Sequence, residues 1–511
     1  MALPAAHPEA ELRPSRTDGL RSRALVRRLF LGGLALVHVA SLVSFGHQLD
    51  GLVGSRGILP AAPLVARLEA VLGQDAYVRA PMLAYATGAS DTAMHATVVL
   101  GLLFALLLLV DVLPFVATLG LYVVALSIHG VGQEFLSFQW DLLLIETTFL
   151  ALALSPPSFV GTFGRDPEPS TFGVWTLRLL FVRFLFASGV VKLASGDATW
   201  HDLTALAHHY ETTCLPTWTG WLAHKLPMAV QKTSALAMFA IELVLPFFAF
   251  GPRWARRTAF VGSVALQLAI ASTGNYGFFN FLTCVLSLVV LDDGDLPARV
   301  RTFLDRPRLA TPRSATYVAA PMLALYVVLA IAPTMWAFRT GATLPAPLER
   351  LEERTIPFRL ANAYGLFAVM TTHRPEIVVE GSDDGRTWQA YDFRYKPGAL
   401  DRRPAFIGLH MPRLDCQMWF SALGEATDGR FFGRFATTLL EASPPVLGLL
   451  AHDPFGGRAP RYLRAMRYEY RFTSWAEWRS TGAWWKREGG EVYLPAVEKV
   501  GGGLRYAEVE E

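Results

Sequence analysis

The chain has 511 residues, of which 52% are hydrophobic and 17% charged, and its mean hydropathy of +0.32 places it outside the range of ordinary soluble enzymes. The net charge of +3 is small and the basic residues stand at the ends of apolar runs, so no nucleic-acid footprint is present. Three cysteines, Cys214, Cys284 and Cys416, are too few and too scattered for a disulfide framework or a zinc site. Cys284 reads as a core thiol, and whether Cys214 and Cys416 pair stays open.

Residues 1–24 are rich in Pro, Arg and Ala without apolar periodicity and read as a disordered, basic cytoplasmic tail. Apolar runs then recur near residues 29–45, 92–112, 115–128, 140–154, 174–193, 228–250, 258–272, 276–291 and 317–338. Crossing a bilayer takes roughly 20 mostly apolar residues, so these are about nine candidate spans of a helical membrane domain over residues 25–338. The first run lacks a small-residue cleavage site and is read as a retained helix. Pro114 marks a tight turn between the second and third.

Basic residues near span ends set the orientation. Arg13, Arg16, Arg21, Arg23, Arg27 and Arg28 put the N-terminus in the cytosol, and alternation places Arg253, Arg256, Arg257 and the arginines of 299–313 on the same side. Loops 49–91, 131–139 and 196–226 fall on the far side. Nine spans leave everything after Phe338 outside the cytosol.

Ionisable residues within the spans are few. Asp111, Asp141 and Arg178 lie near span ends and read as interfacial anchors. Glu146, Arg183 and Glu242 lie deeper, and Arg183 is expected to form an intramembrane ion pair with Glu242 or Glu146. Lys192 stands where an apolar helix gives way to a polar loop carrying Asp197, Trp200, His201, Asp202, His208, His209, Tyr210 and Glu211. Ser188 and Ser195 are its helical neighbours. Read structurally, Lys192 snorkels to the interface. Read chemically, a partly desolvated lysine beside His201, His208 and His209 is a base. Adjacent histidines are poor co-ligands and no HExxH spacing exists, so no metal site is expected. No Walker loop, dinucleotide fingerprint, GxSxG elbow or kinase signature is present, and no cofactor is expected.

Residues 339–500 read as a β-rich, sandwich-like extracytoplasmic domain, and 501–511 as a flexible tail. The segment 376–381 is a strand candidate, Ser382-Asp-Asp-Gly385 a turn, and 387–395 and 468–472 alternate as half-buried strands do. A helical interlude falls near 417–422 and 434–442. Trp388, Tyr391, Phe393 and Trp419 are expected to be buried, since such strands need a covering layer.

The run from Arg178 to Thr212, with Gly189-Val-Val-Lys192-Leu193, Trp200-His-Asp-Leu-Thr204 and His208-His-Tyr-Glu-Thr212, resembles the signature of the lipase maturation factor family. The likeness continues through Ile241-Glu242, Thr273-Gly-Asn-Tyr-Gly-Phe-Phe-Asn280 and Asp292-Asp293. In the C-terminal domain it includes Asn362-Ala-Tyr364-Gly365, Tyr391 to Gly398 with Lys396, Arg402-Arg403-Pro404, Arg413-Leu-Asp415, Gln417-Met-Trp419-Phe420 and Leu450 to Phe455. The resemblance implies a multi-pass, chaperone-like maturation factor assisting secreted lipases or other secreted clients among membrane lipids. Its membrane is the endoplasmic reticulum in animals, or a bacterial inner membrane if the arginine-rich composition marks a bacterium. The segment around Lys192, Asp197 and Trp200 is also similar to the one carrying the catalytic lysine of vitamin K-dependent γ-carboxylases. That likeness supplies the alternative: a membrane enzyme acting on a lipid, quinone or peptide at Lys192.

Overall fold

The computed structural model describes residues 22–159, 167–304, 313–339, 341 and 343–508. The expected N-terminal tail lies outside these residues as far as Arg21. Its last residues are held on the bundle, with the Ser22 hydroxyl donating to Glu168 and Arg23 paired with Asp292 at 2.8 Å.

The membrane domain is built on α1 (Ala24–Gly46), α2 (Asp91–Leu109), α3 (Pro114–Gly132), α4 (Gln139–Ala151) and α5 (Thr171–Ala194). There follow the short α6 (Leu206–Thr212) and α7 (Trp218–His224), then α8 (Met228–Leu243), α9 (Arg253–Thr273), α10 (Phe279–Ser287), α11 (Arg313–Leu329) and α12 (Ile331–Ala337). Local signals explain several boundaries. The Ser90 hydroxyl caps α2 by accepting from Ala93 N, and Pro114 occupies the first turn of α3, where its missing N–H costs nothing.

Six stretches among the described residues are long and apolar enough to cross a membrane: Ala24–Gly46, Asp91–Leu109, Pro114–Leu136, Thr171–Ala194, Met228–Phe250 and Ala315–Ala337. The other three expected spans take different forms. Helix α4 has 13 residues, α10 has 9, and α9 has 21 but opens with Arg253, Arg256 and Arg257. Helix α5 runs through the centre, with Leu177, Leu180, Phe181 and Leu185 buried against α1, α4 and α10 residues in one apolar core.

Charged groups gather at one end of the bundle. Asp292 pairs with Arg23 and Arg256, Asp295 with Arg253 and Arg257, and Asp293 accepts from the N–H groups of Leu25 and Val26. The C-terminal domain meets the loops at the other end. Gln48 accepts from Arg413 N at 2.7 Å, Ser443 donates to Arg56 O at 2.6 Å, Arg413 donates to Phe135 O, and Arg374 donates to Glu211 O.

The C-terminal domain carries an antiparallel five-stranded sheet of order β2-β1-β5-β6-β7: β1 (Pro375–Ser382), β2 (Gln389–Ala390), β5 (Tyr462–Phe472), β6 (Trp485–Val500) and β7 (Gly503–Tyr506). Val379 faces Ala465 across β1 and β5, and both are buried. The covering layer differs from a sandwich. It consists of α13 (Arg413–Ala422), α14 (Phe431–Leu440) and a two-stranded ribbon of β3 (Asp392–Phe393) with β4 (Leu450–His452). Phe431, Phe432 and Phe435 of α14 join Ile377, Leu463 and Val497 of the sheet in one buried cluster, so helices do the work a second sheet was expected to do. Tyr391, Phe393 and Trp419 are buried as expected. Trp388 is only half-buried, with the Arg464 guanidinium 4.2 Å from its ring centroid. The tail expected to be flexible starts with a hairpin: Gly501, at φ 59°, turns the chain so that β7 pairs with β6.

Candidate functional site

Lys192 lies in the last turn of α5 and is buried. Its Nζ donates to Glu242 on α8 at 2.8 and 3.1 Å and to Ser188 O at 2.9 Å, and sits 5.6 Å from the Trp200 ring centroid. Gly189 permits this approach, because a Cβ there would come within 2.6 Å of Leu243 on α8. Glu242 is therefore not the partner of Arg183. Arg183 pairs with Glu146 of α4, the other partner the sequence allowed, and donates to Asn362 O at 2.6 Å.

The ion pair lines a cavity of about 280 Å³ enclosed by α5, α6, α8, α9 and α10, with Trp200, His209, Tyr210, Tyr276 and Phe367 among its walls. Trp200 is fixed by its indole N–H donating to Phe367 O at 2.9 Å and by an edge contact with Phe239. His209 Nε2 lies 3.2 Å from the Tyr276 hydroxyl, which is 2.7 Å from the Thr213 hydroxyl. Burial, helped by the nearby Lys192 charge, pulls the His209 pKa down to about 4, so the ring is neutral at pH 7.

The other polar residues of the segment turn elsewhere. His201 and Asp202 are exposed, and half-buried His208 is absent from the cavity wall. Glu211 is buried under the C-terminal domain, its carboxylate accepting from Phe472 N at 2.6 Å and its pKa raised by burial. Of the three histidines, the structure brings only His209 to Lys192.

Of the C-terminal motif residues, Asn362, Tyr364 and Gly365 form the joint with the bundle, whereas Asp415, Lys396 and Tyr391 make their contacts inside the C-terminal domain. Glu146 accepts from Asn362 N at 2.7 Å, from the Asn362 side chain at 2.9 Å and from the Tyr364 and Tyr326 hydroxyls at 2.7 Å. Gly365 N donates to Gln139, and a Cβ at Gly365 would lie 2.7 Å from Val191. Asp415 accepts from the N–H groups of Tyr395 and Lys396, and Lys396 pairs with Glu376 at 2.9 Å. Tyr391 packs near Phe455, and Trp419 lies against Phe420. Exposed Arg403 has its guanidinium 6.0 Å from the Trp218 ring.

Sequence reasoning missed two arginines. Buried Arg374 donates to the carbonyls of Glu211, Thr213 and Cys214 and pairs with Glu376 at 2.7 Å. Buried Arg413 grips Asp141 with two bonds of 2.6 and 2.7 Å, so Asp141 is a structural partner rather than an interfacial anchor. The motif Arg413-Leu-Asp415 was the available signal for the second. Cys214 and Cys416 form a disulfide, with Cα atoms 5.7 Å apart, linking the loop after α6 to α13.

Comparison with known proteins covers the same two regions. The family model described as "Lipase maturation factor transmembrane domain" matches residues 25–298, and "Lipase maturation factor C-terminal domain" matches residues 360–495. Lipase maturation factor 2 of Mus musculus is 34% identical over 596 residues, covering 94% of this chain and 84% of the relative. Lipase maturation factor 1 of Bos taurus is 31% identical over 542 residues, covering 97% and 94%, and that of Homo sapiens is 30% identical over 509 residues, covering 93% and 88%. No solved structure matches the chain.

Proposed function

The chain belongs to the lipase maturation factor family, and from that premise we propose that it is a membrane-embedded maturation factor helping secreted clients, lipases among them, to fold on the non-cytosolic side of its membrane. One observation carries the sidedness: the C-terminal domain touches loops 49–91, 131–139 and 196–226 and is disulfide-bonded to the last of them. Disulfides persist in oxidising compartments, which are also where secreted proteins fold. The bundle end carrying Arg23, Arg253, Arg256 and Arg257 faces the cytosol in this reading.

That arrangement takes nine passages, with α4, α9 and α10 completing the six long helices. Short helices suffice for α4 and α10 because they are shielded within the protein: Trp140, Leu143 and Leu144 of α4 and Leu282 and Leu286 of α10 are buried. Residues 339–500 then form one client-facing domain, with exposed apolar side chains such as Phe406, Leu409 and Val492 available to unfolded chains. The γ-carboxylase-like alternative gains no support, because Lys192 is committed to Glu242 and only one of the expected histidines stands beside it.

The test is functional. In cells lacking an endogenous factor, expression of this protein should raise the specific activity of a co-expressed secreted dimeric lipase without raising its transcript. An unchanged lipase activity, with the factor inserted in the membrane, counts against the reading.

A further inference from the structure

The cavity beside Lys192 contains two groups that the ion pair does not use. The side-chain amide oxygens of Gln267 on α9 and Asn280 on α10 are buried and have no hydrogen-bond partner among the described residues, and both residues line the cavity. A buried amide without a partner is destabilising, and such groups are uncommon in native interiors unless a water or ligand completes them. Two of them on facing helices call for a guest that brings hydrogen-bond donors.

The rest of the cavity narrows the chemistry of that guest. Its walls include Phe184, Met238, Leu266 and Ile270. The Lys192 charge is matched by Glu242, and His209 is neutral at pH 7, so no net charge attracts an ionic head group. Lining residues Ser234 on α8 and Ala269 and Ser272 on α9 are exposed, so the cavity opens between those two helices. The same helices expose Val230, Leu236, Val261 and Leu268, an apolar surface suited to hydrocarbon. We propose that the cavity binds a neutral, hydroxyl-bearing membrane lipid, its hydroxyl bonded to Gln267 and Asn280 and its chain leaving between α8 and α9. At about 280 Å³ the cavity falls at the lower edge of ligand pockets, roughly 300–1,000 Å³, which suits one small head group and the start of one chain rather than a whole phospholipid. The site stands whether or not the protein matures lipases.

The test uses the full-length protein in nanodiscs with a 1-hexadecanol analogue carrying a diazirine on its chain. Photolabel is expected on α8, α9 and residues 276–280, removed by excess 1-hexadecanol and less by hexadecanoic acid. Joint replacement Gln267→Leu and Asn280→Leu should cut labelling about tenfold, the loss of its polar anchors. It should leave the thermal midpoint no lower, because two unsatisfied amides are replaced by apolar groups. Should that variant fail to fold, Ser234→Trp at the exposed mouth is the substitute and should lose the label equally. Label that persists in a folded variant overturns the proposal. So does label spread evenly over α2 and α11, equal competition by the acid, or no label at all, which leaves a water-filled cavity.

Discussion

At the scale of single residues, Lys192 and Glu242 stand or fall together. Removing one partner of a buried ion pair strands the other charge, at a cost of about 3–5 kcal/mol, whereas replacing both by apolar groups of similar size is often neutral. Lys192→Ala should therefore lower the thermal midpoint sharply, and Lys192→Met with Glu242→Leu should restore most of it; a double variant as unstable as the single one argues against this account. Lys192→Arg keeps the charge but adds bulk beside Gly189, an overpacking cost of about 1–3 kcal/mol. It should retain client maturation once correctly inserted, whereas complete loss in an inserted protein points to a base and to enzyme chemistry. His209 gives a pH signature. Its folded pKa of about 4 lies below the unfolded value near 6.5, so the unfolded chain takes up the proton first. Its contribution is full above about pH 6.5 and is lost as pH falls toward 4, by at most about 1.4 kcal/mol per pH unit. His224 is also held at about 4, mainly by burial, and shares the effect. Melting of the His209→Asn variant between pH 5 and 7 should show a shallower dependence than the parent, and parallel curves would falsify the assignment.

At the scale of elements, the joint between the domains depends on close approach. Gly365→Ala drives a methyl into Val191, and its neighbours Asn362 and Tyr364 are bonded to Glu146, so the strain falls on the whole joint. A loss of about 1–3 kcal/mol is expected in denaturant titration, with Arg413→Ala costing about 3–5 kcal/mol by stranding Asp141. These partnerships show what a sequence conveys. Apolar runs long enough to cross a bilayer announce themselves, and α1, α2, α3, α5 and α8 coincide with expected runs. The strand candidate 376–381 coincides with β1 and the alternating run 468–472 with the end of β5, whereas the alternating run 387–395 is broken into the two-residue strands β2 and β3, which pair with different partners. Which helix face meets which is set by packing, so Arg183 could not be assigned between Glu146 and Glu242 from spacing alone. Arg374 drew no reading and Arg413 only its place in a motif, because the partners that bury them, Glu211 to Cys214 and Asp141, lie far away in the chain. The covering layer was misread for the same reason: helices and a second sheet bury a sheet face equally well.

At the scale of the whole molecule, sidedness makes the clearest prediction. A reporter active only outside the cytosol, fused after Glu511, should be active, and one fused after Asp295 should be silent. Activity of the reverse pattern removes the proposed non-cytosolic site of client folding. The Cys214–Cys416 bond should give a mobility shift between reducing and non-reducing gels, and its loss in Cys214→Ser should cost about 2–5 kcal/mol.

That bond has a topological consequence. It closes a covalent ring over 202 positions of chain, and α8 to α12 all lie within it. A protease cutting once inside the ring, for example between residues 339 and 361, yields two fragments that migrate as one until reductant is added. A cut at residues 159–167, outside the ring, releases its fragment without reductant. The C-terminal domain expressed alone carries Cys416 without its mate.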